Sequence, residues 1–224
     1  MKSLEKHEVF EMEVLDAMHR ARLLDGLVFG GGTMLRLCFE LKRYSTDLDF
    51  WVREPERMAA PAVKAMKELF RDMSVEITDA QEKRHTLLYE IRKEGFPQRL
   101  KIEIRKKPIE KALVEENIAF SPFASLQVRL KTFTLSQMWK NKILALLDRK
   151  IIRDAYDLEF LSRRGAGAIE NISKEDLAKM FQIVEGFSKE DYRSVLGSVL
   201  PPDERDFYRT YRFEYLKTKI KAAL

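Results

Sequence analysis

Three consecutive glycines, Gly30 to Gly32, lie between a short apolar run and an amphipathic segment. The apolar run is Leu27-Val28-Phe29, and residues Met34 to Leu41 have helical spacing. The pattern predicts a strand, a tight turn and a helix. Backbone N–H groups at such a turn can hold an anion because no side chain obstructs it, although a turn that only needs positive φ has the same sequence. The Walker loop and the G-x-G-x-x-G dinucleotide motif do not fit this spacing.

Two aspartates follow on the next predicted strand. Acidic and apolar residues alternate in Asp47-Leu48-Asp49-Phe50-Trp51-Val52, which is typical of a half-buried strand. Asp47 and Asp49 should therefore point to the same face, at a spacing that suits a hard divalent cation such as Mg²⁺. A solvated acidic strand looks identical in sequence, but the glycine turn just before it favours an anion cradle beside a metal site.

The remaining periodicity predicts an α+β fold. Residues 1–133 should form a small mixed β-sheet core with flanking helices, and residues 134–224 a mostly helical lobe that closes a cleft. Helices are predicted at Leu4–Leu24, Glu56–Met73, Leu135–Arg163, Lys174–Gly186, Lys189–Leu196 and Asp203–Ala223. Further strands are predicted at Val75–Thr78, Thr86–Arg92 and Leu100–Arg105, with an extended segment from Pro108 through Gln127 to Thr132.

Composition limits the protein class. The chain is 45% hydrophobic and 34% charged, which is typical of a folded globular protein. The net charge of +5 suits a polyanionic partner but also occurs in ordinary enzymes. Cys38 is the only cysteine, no apolar run resembles a signal peptide, and charged residues interrupt every stretch that could span a membrane. We therefore expect a cytoplasmic protein that does not enter a membrane.

Two blocks of sequence resemble a known family. Phe29-Gly-Gly-Gly-Thr-Met-Leu and Arg43-Tyr-Ser-Thr-Asp-Leu-Asp-Phe50 are similar to the signature of the AbiEii/AbiGii-type nucleotidyltransferases, of the DNA polymerase β-like superfamily. Lys142-Ile-Leu-Ala-Leu-Leu-Asp-Arg149, which runs into Arg153-Asp-Ala-Tyr-Asp-Leu158, is similar to that family's downstream pattern. The resemblance implies transfer of a nucleoside monophosphate from a nucleoside triphosphate (NTP), with Mg²⁺ or Mn²⁺.

The resemblance also implies site residues. Gly31, Gly32 and Thr33 would bind the β- and γ-phosphates, and Ser45 of the second motif is a further nucleotide-binding candidate. Asp47 and Asp49 would bind metal, and a third acid on a later strand would complete the catalytic site.

Two residues compete for the role of third carboxylate. Glu103 stands where the family has an aspartate on a later strand, whereas Glu90 alternates equally well on an earlier strand. We favour Glu103 as a catalytic and metal-binding residue, although glutamate reaches further than aspartate and so alters the metal geometry.

A basic ridge is expected in the C-terminal half. If Leu135–Arg163 is one helix, Lys142, Arg149 and Arg153 fall within roughly 40° of one another and could hold phosphates of the triphosphate or of an acceptor. Asp154 falls on the apolar stripe, where it must either pair with a basic residue or cap a helix break near Lys150. We favour pairing, which would orient an arginine towards the nucleotide.

Aromatic and basic residues also interleave near the C-terminus. This pattern can stack bases and bind phosphates, but more often it packs a terminal helix. The residues concerned are Arg205, Phe207, Tyr208, Arg209, Tyr211, Arg212, Phe213 and Tyr215.

The acceptor stays open at this level. RNA, including tRNA, fits the basic charge, and family analogy suggests the toxin half of a toxin–antitoxin pair with a cognate antitoxin. A protein or small-molecule acceptor uses the same chemistry. A degenerate module of the same fold that only binds RNA or protein is the alternative from another class.

Overall fold

The computed structural model describes residues 2–53, 60–107, 109 and 113–224. The chain divides into two compact units, Met1–Glu40 with Tyr44–Phe133 and Leu41–Arg43 with Thr134–Leu224. None of the described helices is long and apolar enough to cross a membrane.

The first unit contains a seven-stranded mixed sheet with helices packed on it. Its strands are β1 (Leu27–Gly30), β2 (Asp47–Val52), β3 (Glu76–Glu82), β4 (Thr86–Arg92), β5 (Leu100–Arg105), β6 (Val114–Phe120) and β7 (Gln127–Phe133). Its helices are α1 (Ser3–Arg20), α2 (Gly31–Phe39) and α3 (Ala60–Asp72). The strand order is β3-β4-β5-β2-β1-β7-β6, with parallel pairing between β2 and β5 and between β1 and β7. The other neighbouring strands are antiparallel.

Alternation along the central strands makes one face of the sheet apolar. Leu48, Phe50 and Val52 of β2 are buried, as are the corresponding apolar residues of β4 and β5. The residues between them on β2 and β5 are half-buried and polar or aromatic. The acids of β2 and β5 therefore lie on the more accessible face.

The second unit is helical. Its helices are α4 (Leu135–Arg149), α5 (Ile152–Arg163), α6 (Lys174–Glu185), α7 (Pro202–Tyr211) and α8 (Glu214–Ala223). Side chains cap two of them, since Thr134 accepts a hydrogen bond from the Gln137 N–H at 3.2 Å and Ser173 accepts one from the Asp176 N–H at 3.1 Å. The predicted α+β class, with a mixed sheet and a largely helical second part, is confirmed.

Several predicted helices have different bounds. The helix expected over Leu135–Arg163 is wrong as a single element, because Lys150 adopts a left-handed conformation (φ 55°) that ends α4. Arg212 and Phe213, with φ of 44° and 57°, likewise divide the predicted helix over 203–223 into α7 and α8. Residues 191–196 form a π-helical turn rather than an α-helix. Residues 56–59 of the helix predicted over Glu56–Met73 lie outside the described part of the chain.

Candidate active site

The β2–β5 pair brings acidic residues together. Asp49 lies directly opposite Glu103, and Asp47 lies opposite Lys101, in a parallel register. Paired residues on neighbouring strands point to the same side of a sheet. Asp47 and Asp49 therefore share one face, as the alternation predicts, and the Glu103 side chain leaves the sheet on that face as well.

The register distinguishes the two candidates for the third carboxylate. Glu103 is the direct neighbour of Asp49, whereas Glu90 lies on β4 opposite Lys101, one strand further from β2. Glu103 is therefore the better-placed candidate, and its catalytic and metal-binding roles stay predictions.

Two cations hold the Glu103 carboxylate. Arg105 Nε donates to one oxygen at 3.0 Å, and Lys101 Nζ donates to the other at 3.1 Å. Burial raises the pKa of Glu103, but the charges and hydrogen bonds of Arg105 and Lys101 outweigh burial, so this pKa is lower than usual. Glu103 is consequently an anion ready to accept a metal, provided that one of its present partners moves.

Arg105 connects the acids to an aromatic residue. Its guanidinium lies 3.6 Å from an Asp49 oxygen and 4.4 Å from the centroid of the Trp51 ring. Such stacking restricts the rotamers of an arginine and keeps its planar donors in place. Neither Lys101 nor Arg105 belongs to a motif in the sequence, although their alternation with Glu103 on β5 places them on the same face.

The donor set suits a hard cation only in part. Carboxylate oxygens of Asp47 and Asp49 on one face are the ligands that Mg²⁺ prefers. In the described ranges, however, no group of three or more His, Cys, Asp or Glu side chains is placed to hold a metal ion. Glu103 is instead bound by Lys101 and Arg105. The present residues thus fit a metal on the two aspartates, with Glu103 joining after it exchanges a cation.

The glycine turn touches the acidic face. Gly31 has φ of +76°, and a Cβ built on it would collide with a carboxylate oxygen of Asp49. A Cβ on Gly30 would lie 2.6 Å from the Trp51 ring. Glycine is therefore required at Gly31 both by backbone conformation and by the close approach of Asp49. The open N–H groups in the first turn of α2 begin at this point, next to the aspartate.

The Thr33 side chain makes a structural contact, and the phosphate-binding role implied by its motif stays a prediction. Its buried hydroxyl donates to the Asp47 carbonyl oxygen at 2.6 Å and so ties α2 to β2. That hydrogen is not available to a phosphate, and Thr33 can contribute only its backbone N–H. Ser45 is half-buried in the connection before β2.

A buried polar pair on α1 lies behind the acidic strand. His7 Nε2 is 3.0 Å from the Thr46 carbonyl oxygen and 3.6 Å from a Glu11 carboxylate oxygen. Both Glu11 oxygens and His7 Nδ1 are buried without a hydrogen-bond partner among the described residues. Burial, followed by the charges of Glu8 and Asp47, raises the pKa of Glu11 well above its usual value. Burial also lowers the pKa of His7. Burial therefore favours the neutral form of Glu11 over its carboxylate.

The Glu11 pKa predicts a pH-dependent cost to stability. Because the folded pKa is raised, the unfolded chain releases this proton at a lower pH than the folded protein, so stability should fall as pH rises above about 4.3, the usual glutamate value. Glu11→Gln removes the ionisation, so the stability of the variant relative to wild type should increase as pH rises from about 5 towards neutral. Thermal unfolding across this range measures the difference, with exposed Glu94→Gln as the control. A constant difference across the range would contradict the assignment.

A cluster of charged residues lies in the second unit. Arg43 donates from Nε and Nη2 to the two Asp157 oxygens at 2.6 and 2.7 Å, and Lys142 Nζ lies 2.6 Å from Asp157. Lys142 also donates to Asp154 at 3.1 Å, and Arg149 donates to both Asp154 oxygens at 2.8 and 2.9 Å. Asp154 and Asp157 are buried. The cluster combines three cations with two carboxylates.

These contacts correct the predicted basic ridge. Arg149 and Arg153 lie on different helices, and Lys142 is buried between two aspartates rather than exposed on a helix face. The expectation that Asp154 pairs with basic residues is confirmed, because it binds Lys142 and Arg149. Of the three ridge residues, Arg149 is half-exposed and Arg153 partly exposed, and the nucleotide-binding roles of all three and of Asp154 stay predictions. Asp157 was missed, although the Asp-x-x-Asp spacing places it on the same helix face as Asp154.

The chain is similar in fold to several solved structures, including JHP933 and MenT4. JHP933 from Helicobacter pylori is 18% identical with a TM-score of 0.57, covering 96% of this chain and 94% of that one. MenT4, a nucleotidyltransferase toxin from Mycobacterium tuberculosis H37Rv, is 19% identical with a TM-score of 0.53, covering 96% of this chain and 85% of that one. At this level of identity the likeness shows a shared fold. No curated protein matches the chain in sequence.

A family match covers most of both units. Residues 13–217 match the family described as "Nucleotidyl transferase AbiEii toxin, Type IV TA system". The matched range includes the glycine turn, both aspartates of β2, Glu103 and the charged cluster of the second unit. The chain belongs to the AbiEii nucleotidyltransferase toxin family.

Proposed function

We propose that the chain transfers a nucleoside monophosphate from an NTP to an RNA acceptor in the presence of Mg²⁺ or Mn²⁺. We further propose that it acts as the toxin of a pair with a cognate antitoxin, a partner suggested by the family description. One observation carries the proposed chemistry: the glycine turn at the start of α2 touches Asp49, which shares its face with Asp47 and Glu103. A phosphate site and a metal site would thus adjoin.

In the first unit, the glycine turn would bind the phosphates and the acidic residues would bind the metal. The N–H groups of Gly31, Gly32 and Thr33 would bind the outer phosphates at the helix N-terminus, where the helix dipole favours an anion. Asp47 and Asp49, joined by Glu103, would hold Mg²⁺, which when bound neutralises phosphate charge and steadies the attacking and leaving oxygens. Phosphoryl-type transfer depends mainly on such positioning and neutralisation.

Arg105 has two roles in this proposal. Anchored by the Trp51 ring and by Glu103, it keeps a positive charge 3.6 Å from Asp49 while no metal is bound. Paired carboxylates repel each other, so a nearby guanidinium stabilises the free site. Exchange of Arg105 or Lys101 for a metal would release a cation that can face the substrate phosphates.

A second candidate function rests on the same contacts. Because Lys101 and Arg105 already neutralise Glu103, the face could persist without metal in a module that binds RNA or protein but catalyses nothing. Asp47 and Asp49 on the accessible face argue against the non-catalytic module, because two neighbouring carboxylates repel each other when no metal binds them.

One experiment distinguishes the nucleotidyltransferase from the non-catalytic binding module. The protein is incubated with each radiolabelled NTP in turn, Mg²⁺ and total RNA, and label is followed on RNA, on protein and on small molecules. Label on RNA that disappears on chelation of Mg²⁺ supports the proposal. Label on protein or on a small molecule would show that the acceptor is not RNA, but it would still support nucleotidyl transfer. No label with any NTP, while RNA still binds, favours the non-catalytic module.

The contact between Gly31 and Asp49 predicts a strong effect of a single methyl group. Gly31→Ala should reduce NTP affinity and transfer by on the order of tenfold or more, because the new Cβ displaces the Asp49 carboxylate in addition to straining the turn. Gly95→Ala is a matched control, since Gly95 also has positive φ (+84°) but nothing within 4 Å of a built Cβ. NTP titration and transfer assays measure both. Equal behaviour of the two variants would assign Gly31 a conformational role only.

A further inference from the structure

A basic cavity lies in the second unit. Its volume is about 590 Å³, and it is lined by Lys189, Tyr192, Arg193, Arg209 and Arg212. The lining residues come from the segment around the π-helical turn and from the end of α7. We call this feature the basic cavity. Its residues lie outside the motifs that carry the family resemblance.

The cations of the basic cavity have little compensation. Among the described residues, no carboxylate lies within salt-bridge distance of Lys189, Arg193 or Arg212, and Arg209 has Asp206 at 3.7 Å. The Asp206 side chain is 80% exposed, so the pair is screened by water. Four like charges around one concave surface produce a positive potential that attracts a multivalent anion.

An exposed aromatic pair lies on the same helix. Phe207 and Tyr211 are 44% and 56% exposed, and their ring centroids are 4.8 Å apart. Tyr208 and Phe213, by contrast, are buried in the helical core. Tyr208 and Phe213 therefore pack the helical core, whereas Phe207 and Tyr211 are accessible to a ligand. Phe207 and Tyr211 are each two positions from Arg209 on α7, so the two rings lie on the other side of the helix from this arginine. Exposed rings are a platform on which unpaired bases stack.

We propose that the basic cavity binds backbone phosphates of single-stranded RNA and that the strand continues round α7 to the Phe207–Tyr211 pair, which stacks a base further along. The choice of RNA rests on the proposed function, whereas the anion site rests only on the cavity. A small polyphosphate would use the four cations but not the aromatic pair. An acidic protein would bind the four cations through its carboxylates, but it would not require the exposed Phe207 and Tyr211 rings for binding. The site would hold the acceptor strand independently of the NTP.

Equilibrium binding of RNA without NTP tests the anion site. Fluorescence anisotropy of a labelled single-stranded RNA of about ten nucleotides is measured over a range of salt concentrations with the full chain. The double variant Arg193→Ala/Arg209→Ala should raise Kd about tenfold and make the log–log salt slope shallower by about 1.4, which is about 0.7 for each lost phosphate contact. Lys140→Ala/Lys219→Ala removes two charges from exposed helix positions of the same unit and should change Kd much less. Equal effects of the two double variants would overturn the site.

A second pair of measurements tests the base platform. Phe207→Ala/Tyr211→Ala should weaken RNA binding several-fold while leaving the salt slope and the binding of inorganic polyphosphate unchanged. If polyphosphate binds as tightly as RNA to the wild-type protein, or the aromatic variant binds RNA normally, the assignment to RNA is wrong. Because these measurements contain no NTP, their failure is distinguishable from a failure of transfer. If the protein binds RNA normally but forms no labelled product, the proposed transfer reaction is wrong and the RNA site is not affected.

Discussion

Asp49→Asn is expected to reduce nucleotide transfer by roughly 10³-fold, and Asp47→Asn should have a similar effect. Each change removes a charged oxygen ligand at nearly constant volume, and loss of metal-ion stabilisation of a transition state is worth several kcal/mol, at about 1.4 kcal/mol for each factor of ten. Both side chains are half-buried on the accessible face of β2, so the fold should survive. Steady-state transfer of labelled nucleotide measures the effect, and thermal unfolding checks that each variant remains folded.

Two glutamates on the same face serve as an internal comparison. Glu103→Gln should impair transfer strongly, because Glu103 is the direct neighbour of Asp49, whereas Glu90→Gln one strand away should leave most activity. A metal-titration curve for each variant adds a second readout, since loss of a ligand shifts the Mg²⁺ concentration that gives half-maximal rate. Near-wild-type transfer by either aspartate variant would reject the metal assignment.

Local sequence patterns were sufficient for the strands that form the site. The alternation in Thr86–Arg92 and Leu100–Arg105 is strong, and β4 and β5 have these bounds. In β6 (Val114–Phe120), Glu115, Glu116 and Asn117 interrupt the apolar pattern, so no separate strand was predicted there. Continuous helices were favoured across Lys150, where a break was only an alternative, and across Arg212, because neither position has the glycine that usually marks a left-handed C-cap.

Contacts between distant segments could not be derived from periodicity. The shared face of Asp47 and Asp49 follows from the two-residue repeat of one strand. The position of Glu103 opposite Asp49 depends on strand register, and the burial of Glu11 depends on how α1 packs. Arg43 and Asp157 are separated by 114 positions in the sequence. Pairs of this kind are set by tertiary packing, which a single sequence does not encode as a repeat.

Asp157→Asn is expected to destabilise the protein by about 3–5 kcal/mol, because it removes the buried carboxylate that Arg43 and Lys142 share and keeps only Asp154 beside Lys142. At about 2–4 °C of Tm for each kcal/mol in a chain of this size, the midpoint of thermal unfolding should fall by roughly 10 °C. Asp154→Asn should cost less, since Lys142 keeps Asp157 and the Arg149 side chain is 50% exposed to water. Exposed Asp148 on α4 provides the control, because Asp148→Asn should leave Tm nearly unchanged.

The pH dependence of this loss gives a second test. Burial raises the pKa of Asp157, but Arg43 and Lys142 outweigh burial, so this pKa lies below its usual value. The ionised carboxylate therefore stabilises the fold above about pH 3.9, the value for an unfolded aspartate, and the contribution is lost as pH falls through the lower folded pKa. The difference in stability between wild type and Asp157→Asn should be constant from neutral pH down to about pH 5 and should shrink only in stronger acid. A difference that disappears near neutral pH would mean that the buried cluster does not hold Asp157 as an anion.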